Sequence, residues 1–278
     1  MLAPLDNEVI FKKAFSNKEV LEAFVHDIVG VDFVAGKIET EKRFSPSVGN
    51  VDSRFDVFAE SNDGRVIVEL QSVRYDYHFD RFLHYHCAAI VEQPQNYKEY
   101  VLDKTVYTIV LLTEPYVWKG GKVVERDNVL ISDVDPRTLD DIPAKLFGHK
   151  LIFLNSNNIH PDLPPQYRDW LELVVMSQKN EGQHEEELNF DRPGIRKVAA
   201  IIDWDGLTPA ERYEVIIANE TEKATAFRKA QLEELKQEVV EAKQEALDAN
   251  ERAKEQGKRA EQAEERIRLL EERLKGSL

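Results

Sequence analysis

The chain has 278 residues, enough for one sizeable core or two modest ones. Its 37 Lys and Arg against 52 Asp and Glu leave a formal net charge of −15. That excludes a protein that holds nucleic acid or an anionic membrane chiefly by bulk electrostatics, while leaving room for a local basic groove. A single cysteine, Cys87, excludes an intramolecular disulfide framework and a cysteine zinc site, and fits a reducing compartment. No stretch approaches the roughly 18 apolar residues of a spanning helix. Met1 to Asp6 shows neither the basic nor the apolar region of a secretory leader. A cytoplasmic protein with no membrane partner is expected.

In chain order, Lys18 to Val29 places Val20, Leu21, Phe24, Val25 and Ile28 at helical spacing, with Gly30 as C-cap. Arg54 to Ala59 and Arg65 to Gln71 alternate as strands around Ser61-Asn62-Asp63-Gly64, a hairpin signal. Phe79 to Val91 reads as a buried helix. Thr105 to Thr113 is a β-branched, nearly continuous apolar run, as in a central strand covered on both faces. Gly120-Gly121 reads as a further turn, Leu151 to Leu154 as a short strand and Tyr167 to Ser177 as a helix. Glu181 to Glu187 is a polar, acidic linker. Helix, hairpin, helix, central strand is an α/β sandwich order.

From about Glu211 onward proline disappears and charge is dense. A heptad seam runs through Leu232, Leu235, Val239, Ala242, Ala246, Ala249, Ala253, Gln256, Ala260, Ala263, Ile267, Leu270 and Leu274, with Gln256 alone polar. The 3.5-residue period predicts a coiled coil and self-association over residues 232–274. The alternative is a single solvated helix, since six seam residues are alanine and bury little. Residues 220–278 hold 15 acids and 13 bases, so nearly all the negative charge belongs to the body. The division expected is a domain over 1–180, a linker and helical extension over 181–219, and a coiled-coil helix over 220–278.

Chemistry concentrates in the hairpin. Residues two apart on a strand share a face, so Glu69 and Gln71 lie with Ile67, and Val66, Val68 and Leu70 lie opposite. With Asn62-Asp63 central in the turn, Asp56 lies across from Glu69; with Asp63-Gly64 central, it faces Gln71 diagonal to Glu69. Either register puts Asp56, Glu69 and Gln71 on one face. Two carboxylates that close raise each other's pKa unless a cation sits between them, and oxygen-only ligands at an open site favour Mg²⁺ or Mn²⁺. The competing reading is a sheet whose polar face meets water, but Asp56 is flanked by Phe55, Val57 and Phe58.

Asp56 followed thirteen residues later by Glu69-Leu70-Gln71 resembles the PD-(D/E)XK nuclease superfamily. More closely, it is similar to the recombination-promoting nuclease and transposase family, in which E-x-Q replaces E-x-K. The family's opening D-x-x-F-K-x-x-F is matched by Glu8-Val9-Ile10-Phe11-Lys12-Lys13-Ala14-Phe15, with Glu8 for Asp. Its R-x-x-x-Y is matched by Arg81 to Tyr85, and its V-Y-x-I-x-x-L strand by Val106 to Leu112. Phe55 stands where the superfamily has Pro, and Gln71 where a lysine would orient or activate the attacking water.

The resemblance implies a restriction-endonuclease-like core: a mixed central sheet flanked by helices, followed here by the long C-terminal helix. It implies a metal-dependent DNA endonuclease with Asp56, Glu69 and Gln71 catalytic. Asp56, Glu69 and the Leu70 carbonyl would hold Mg²⁺, with Mn²⁺ as a substitute, and Glu8 would support the metal through water. Arg81, Tyr85 and Lys12 are candidates for holding a phosphate, Arg81 and Tyr85 alternatively for bracing the sheet. A reading from another class is a catalytically weak nuclease-like scaffold that acts through its coiled coil. His78, His84 and His86 are expected to be structural or exposed, and Cys87 a core thiol. Trp118, Trp170 and Trp204 form no stacking ladder.

Overall fold

Asn7 and Asn17 start the first two helices by accepting main-chain N–H bonds on their side chains, from Val9 and Ile10 and from Val20 respectively. These are α1 (Glu8–Phe15) and α2 (Lys18–Val29), and Gly30 closes α2 with φ 77°, a left-handed cap open to glycine. The computed structural model describes residues 1–44, 53–72, 79–93, 101–113, 127–179 and 188–275. The turn at Gly120-Gly121, Trp118, His78 and the acidic linker 181–187 lie outside the described residues.

The remaining elements are β1 (Ile38–Phe44), β2 (Ser53–Glu60), β3 (Gly64–Gln71), α3 (Asp80–Val91), β4 (Thr105–Leu112), β5 (Val129–Asp133), β6 (Lys150–Asn155), α4 (Pro165–Gln178), α5 (Pro193–Ile202) and α6 (Pro209–Lys275). The six strands form one sheet in the order β1-β2-β3-β4-β6-β5. β3, β4 and β6 run parallel, with β1-β2-β3 and β5-β6 paired antiparallel. β4 is thus central, as its apolar run requires.

Alternation on the strands divides the core. Val57, Ala59, Val66, Val68, Ile109, Leu111, Ile152 and Leu154 pack with α1, α2, α4 and α5. Phe58, Ile67, Val106, Val110, Leu112, Leu151 and Phe153 face the other side, where Phe82 and Ala89 of α3 cover them. Arg65 also passes beneath α3 and donates to the Ala89 carbonyl at 2.9 Å. α3 is amphipathic rather than buried: Phe82, His86 and Ala89 point inward, whereas Leu83 is 52% exposed. Cys87 is exposed, so it is not a core thiol.

α5 is locked to α2 and α4 by Arg192, which donates to Asp27 at 2.8 Å and Asp169 at 2.9 Å. Asp27 also accepts from the Trp170 indole and Asp169 from Asn189, so two buried or nearly buried carboxylates are satisfied. Gly194 on α5 sits so close to Trp170 that a Cβ would lie 2.8 Å from the ring.

Two compact units divide the chain, residues 1–217 and 218–278. In the second, α6 continues without interruption to Lys275, and Leu232, Leu235, Val239, Ile267 and Leu270 are each more than half exposed on the single chain. No described helix is long and apolar enough to cross a membrane.

Candidate active site

The hairpin adopts the first of the two expected registers, Val57 opposite Val68, which brings Asp56 to Glu69. There the pairing passes from main chain to side chain. Asp56 N–H donates to Glu69 Oε1 at 3.0 Å, and Leu70 N–H donates to Asp56 Oδ2 at 2.9 Å. Each carboxylate closes the ladder that the other's strand leaves open.

The strand alternation breaks at Asp56. Phe55 joins Phe58 and Ile67 in the cluster beneath α3, although strict alternation would send it opposite Phe58. The facing residue on β1 is Glu41, held at φ 59°. Register is unchanged on either side, Thr40 with Val57 and Lys42 with Phe55, so the two strands kink together without an inserted residue. Positive φ is costly for a residue with a Cβ, and such conformations concentrate at functional sites.

The kink gathers charge. Carboxylate oxygens of Glu8, Glu41 and Asp56 lie within 4.8 Å of one another. Lys12, one turn along α1 from Glu8, pairs with Glu8 and Glu41 and lies 4.0 Å from Asp56 Oδ1. Arg54 also pairs with Glu41. Glu69 is fully buried, and its Oε2 has no hydrogen-bond partner among the described residues. Among the described residues the cation that approaches Oε2 is Arg81, 3.8 Å away and beyond hydrogen-bond reach.

Burial, and secondarily the neighbouring Asp56, push the Glu69 carboxyl well above the usual carboxylate range. Burial raises Asp56 too, opposed by the Leu70 N–H and reinforced by Glu8. Two carboxylates whose charged forms burial disfavours, one with an oxygen unpartnered among the described residues, form a donor set that a divalent cation suits.

A cleft of about 410 Å³ opens beside them, lined by Glu8, Arg54, Asp56, Leu70, Gln71, Ser72, Arg81 and Tyr85. Arg81 and Tyr85 reach it from adjacent turns of α3, and Arg81 Nε donates to the Tyr85 hydroxyl at 3.2 Å. The structure thus brings Glu8, Asp56, Leu70, Gln71, Arg81 and Tyr85 together around one space, with Glu69 buried outside its lining. Lys12 is occupied by carboxylates. His84 is exposed. His86 is buried on Thr108 at 2.9 Å, and desolvation lowers its pKa to about 4.

Sequence reasoning missed Glu41 and Arg54. Glu41 lies in Ile-Glu-Thr-Glu-Lys-Arg-Phe, where charge obscures the strand, and only the pairing of β1 with β2 shows it facing Asp56. A second recess, of about 780 Å³, opens at the turn end of the hairpin. Its Lys104 is spent on Glu60 and the Ser61 carbonyl.

The family model for the PD-(D/E)XK nuclease family transposase matches residues 6–234. The chain belongs to this family. Its mixed sheet with flanking helices is accordingly of the restriction-endonuclease-like kind, and its function is of the nuclease or transposase type. PD-(D/E)XK nucleases generally use divalent metals, and the acidic cluster at Asp56 offers oxygen donors for one. Comparison with curated proteins and with solved structures gives no match.

Proposed function

We propose that this PD-(D/E)XK protein is a divalent-metal-dependent DNA endonuclease of the transposase and recombination-promoting type. The observation that carries the reading is the Asp56–Glu69 pair. Carboxylates withdrawn from water are expensive unless countered, and these two, Glu69 buried and Asp56 partly so, are raised in pKa, with Glu69 Oε2 unpartnered among the described residues. Asp56, Glu69 and the Leu70 carbonyl would hold Mg²⁺ or Mn²⁺, with Glu8 supporting through water. When bound, the metal lowers the pKa of a ligated water and stabilises charge on the phosphate under attack.

The remaining roles belong to side chains around the cleft. Gln71 positions the attacking water with its amide, having no charge to give. Arg81, half exposed and braced by Tyr85, holds a phosphate oxygen of the strand. Arg54 adds local positive charge to an otherwise acidic body. Residues 1–180 with their extension to 219 carry the cutting, and 220–278 self-associate through the exposed seam, in the cytoplasm.

A scaffold acting through α6 is the second reading, favoured by the uncharged Gln71 and the exposed apolar seam. Plasmid nicking with and without Mg²⁺ separates the two. Wild type should cut only with metal, and Asp56→Asn, which keeps an acceptor for Leu70 N–H, should not cut. A folded wild type inert in both Mg²⁺ and Mn²⁺ would leave the scaffold.

A further inference from the structure

Gln71 stands where an E-x-K strand would carry an ammonium; Arg54 and Arg81 line the cleft, and a further cation reaches Asp56 from outside that lining. Lys12 approaches from α1. Its side chain is only 15% exposed, although a lysine stem ordinarily carries its charge out to water. The ammonium donates to Glu8, forms an ion pair with Glu41, and lies 4.0 Å from Asp56 Oδ1. An ammonium held this way sets a fixed positive charge beside Asp56.

Glu41 explains why Lys12 stays there. Its positive φ swings a carboxylate from β1 into the gap between α1 and β2, giving the ammonium a second anchor besides Glu8. Arg54 engages Glu41 as well, and Arg81 faces Glu69 and Tyr85. Among the described residues, Lys12 is the lysine that an ion-pair contact brings to Asp56.

We propose that Lys12 is the active-site cation of this chain, supplying from α1, beside the attacking water and the scissile phosphate, the fixed positive charge that Gln71 cannot supply from β3. The inference rests on the nuclease reading above. It makes two effects separable. A fixed ammonium assists the reaction, yet it repels a dication sharing Asp56, so removing it should slow cleavage while tightening metal binding.

The experiment compares full-length wild type, Lys12→Gln and Lys12→Gln/Gln71→Lys, each checked by thermal melting. Plasmid nicking gives activity, and calorimetric titration with Mn²⁺ alone gives metal affinity. Lys12→Gln should lose about a hundredfold in cleavage, the scale of one preorganised charge or donor, and bind Mn²⁺ several-fold more tightly. Gln71→Lys should return about tenfold or more of the loss in the same background. Cleavage by Lys12→Gln at the wild-type rate overturns the proposal, as does a folded double variant that recovers nothing. If wild type itself is inert the nuclease reading fails separately. Mn²⁺ affinity then decides Lys12: tightening in Lys12→Gln keeps it as the cation of the centre, and no change removes it.

Discussion

Lys13 reaches across to Glu211 at 2.8 Å, joining α1 to the first turn of α6. Glu211 also completes a reciprocal cap: its Oε2 accepts the Thr208 N–H at 2.8 Å, while Thr208 Oγ1 accepts the Glu211 N–H at 3.3 Å. Pro209 follows the cap, where its missing N–H costs nothing. The helix carrying Glu8 and Lys12 is therefore pinned from its far end.

The Lys13 ammonium, followed by the Thr208 bonds, holds Glu211 below the ordinary carboxylate range. A depressed pKa adds stability above the unfolded value, near 4.3, that is lost as pH falls through the folded value. Glu211→Gln should melt below wild type at pH 7, with the gap closing towards pH 3. Thermal melts across that range check it; a gap constant with pH would assign the effect to the cap alone.

Glu69 and Asp56 shift the other way. A raised folded pKa favours the fold at low pH and penalises it as pH climbs above the unfolded values, near 4. Metal-free Glu69→Gln should therefore melt above wild type at pH 8 and match it near pH 4. Divalent metal, which binds the ionised carboxylates, should raise the wild-type melting temperature more at pH 8 than at pH 6. An identical response to Mg²⁺ in Asp56→Asn would place the metal elsewhere.

Gly194→Ala tests the packing of α5. The added Cβ would lie 2.8 Å from Trp170 and 2.9 Å from the Ala23 Cβ, inside contact distance of two buried helices. Overpacking of this kind costs about 1–3 kcal/mol, and each kcal/mol lowers the melting temperature of a body this size by about 2–4 °C. Calorimetry that finds no drop would show that α5 can slide.

The seam of α6 predicts concentration-dependent association. Leu232, Leu235 and Val239 at one end and Ile267 and Leu270 at the other carry the larger side chains, and burying a leucine contributes about 1.5–3 kcal/mol. Leu270→Ala should weaken association more than Ala249→Ser in the alanine-rich middle. Light scattering of these variants, and of a chain ending at Asn219, measures it. A full chain that stays monomeric at tens of micromolar, on the order where weak pairs form, would make α6 a solvated helix.

Period and capping made much of the fold legible. α2 and its Gly30 cap, the β2-β3 hairpin and the central β4 were readable because each rests on local pattern. β1 was not, because its exposed charged residues mask the strand period. Nor was the inward turn of α5, whose Arg192 finds its partners on α2 and α4. At the site, Asp56, Glu69 and Gln71 could be placed together from strand parity. The kink that releases Phe55 from that parity, and the arrival of Glu41 and Lys12, depend on contacts between elements far apart in sequence.

The mutual bonds of Asp56 and Glu69 give both residues a second employment. Each fastens the neighbouring strand by accepting a main-chain N–H, and an amide oxygen can accept the same bond. A lineage released from the need to cut could exchange Asp56 for asparagine, or Glu69 for glutamine, without unzipping the hairpin. Alanine would instead orphan a main-chain donor at either position. Silenced copies of this protein should then be recognisable by amides at the two positions, and a truncated side chain there should mark a sheet repaired by some other means.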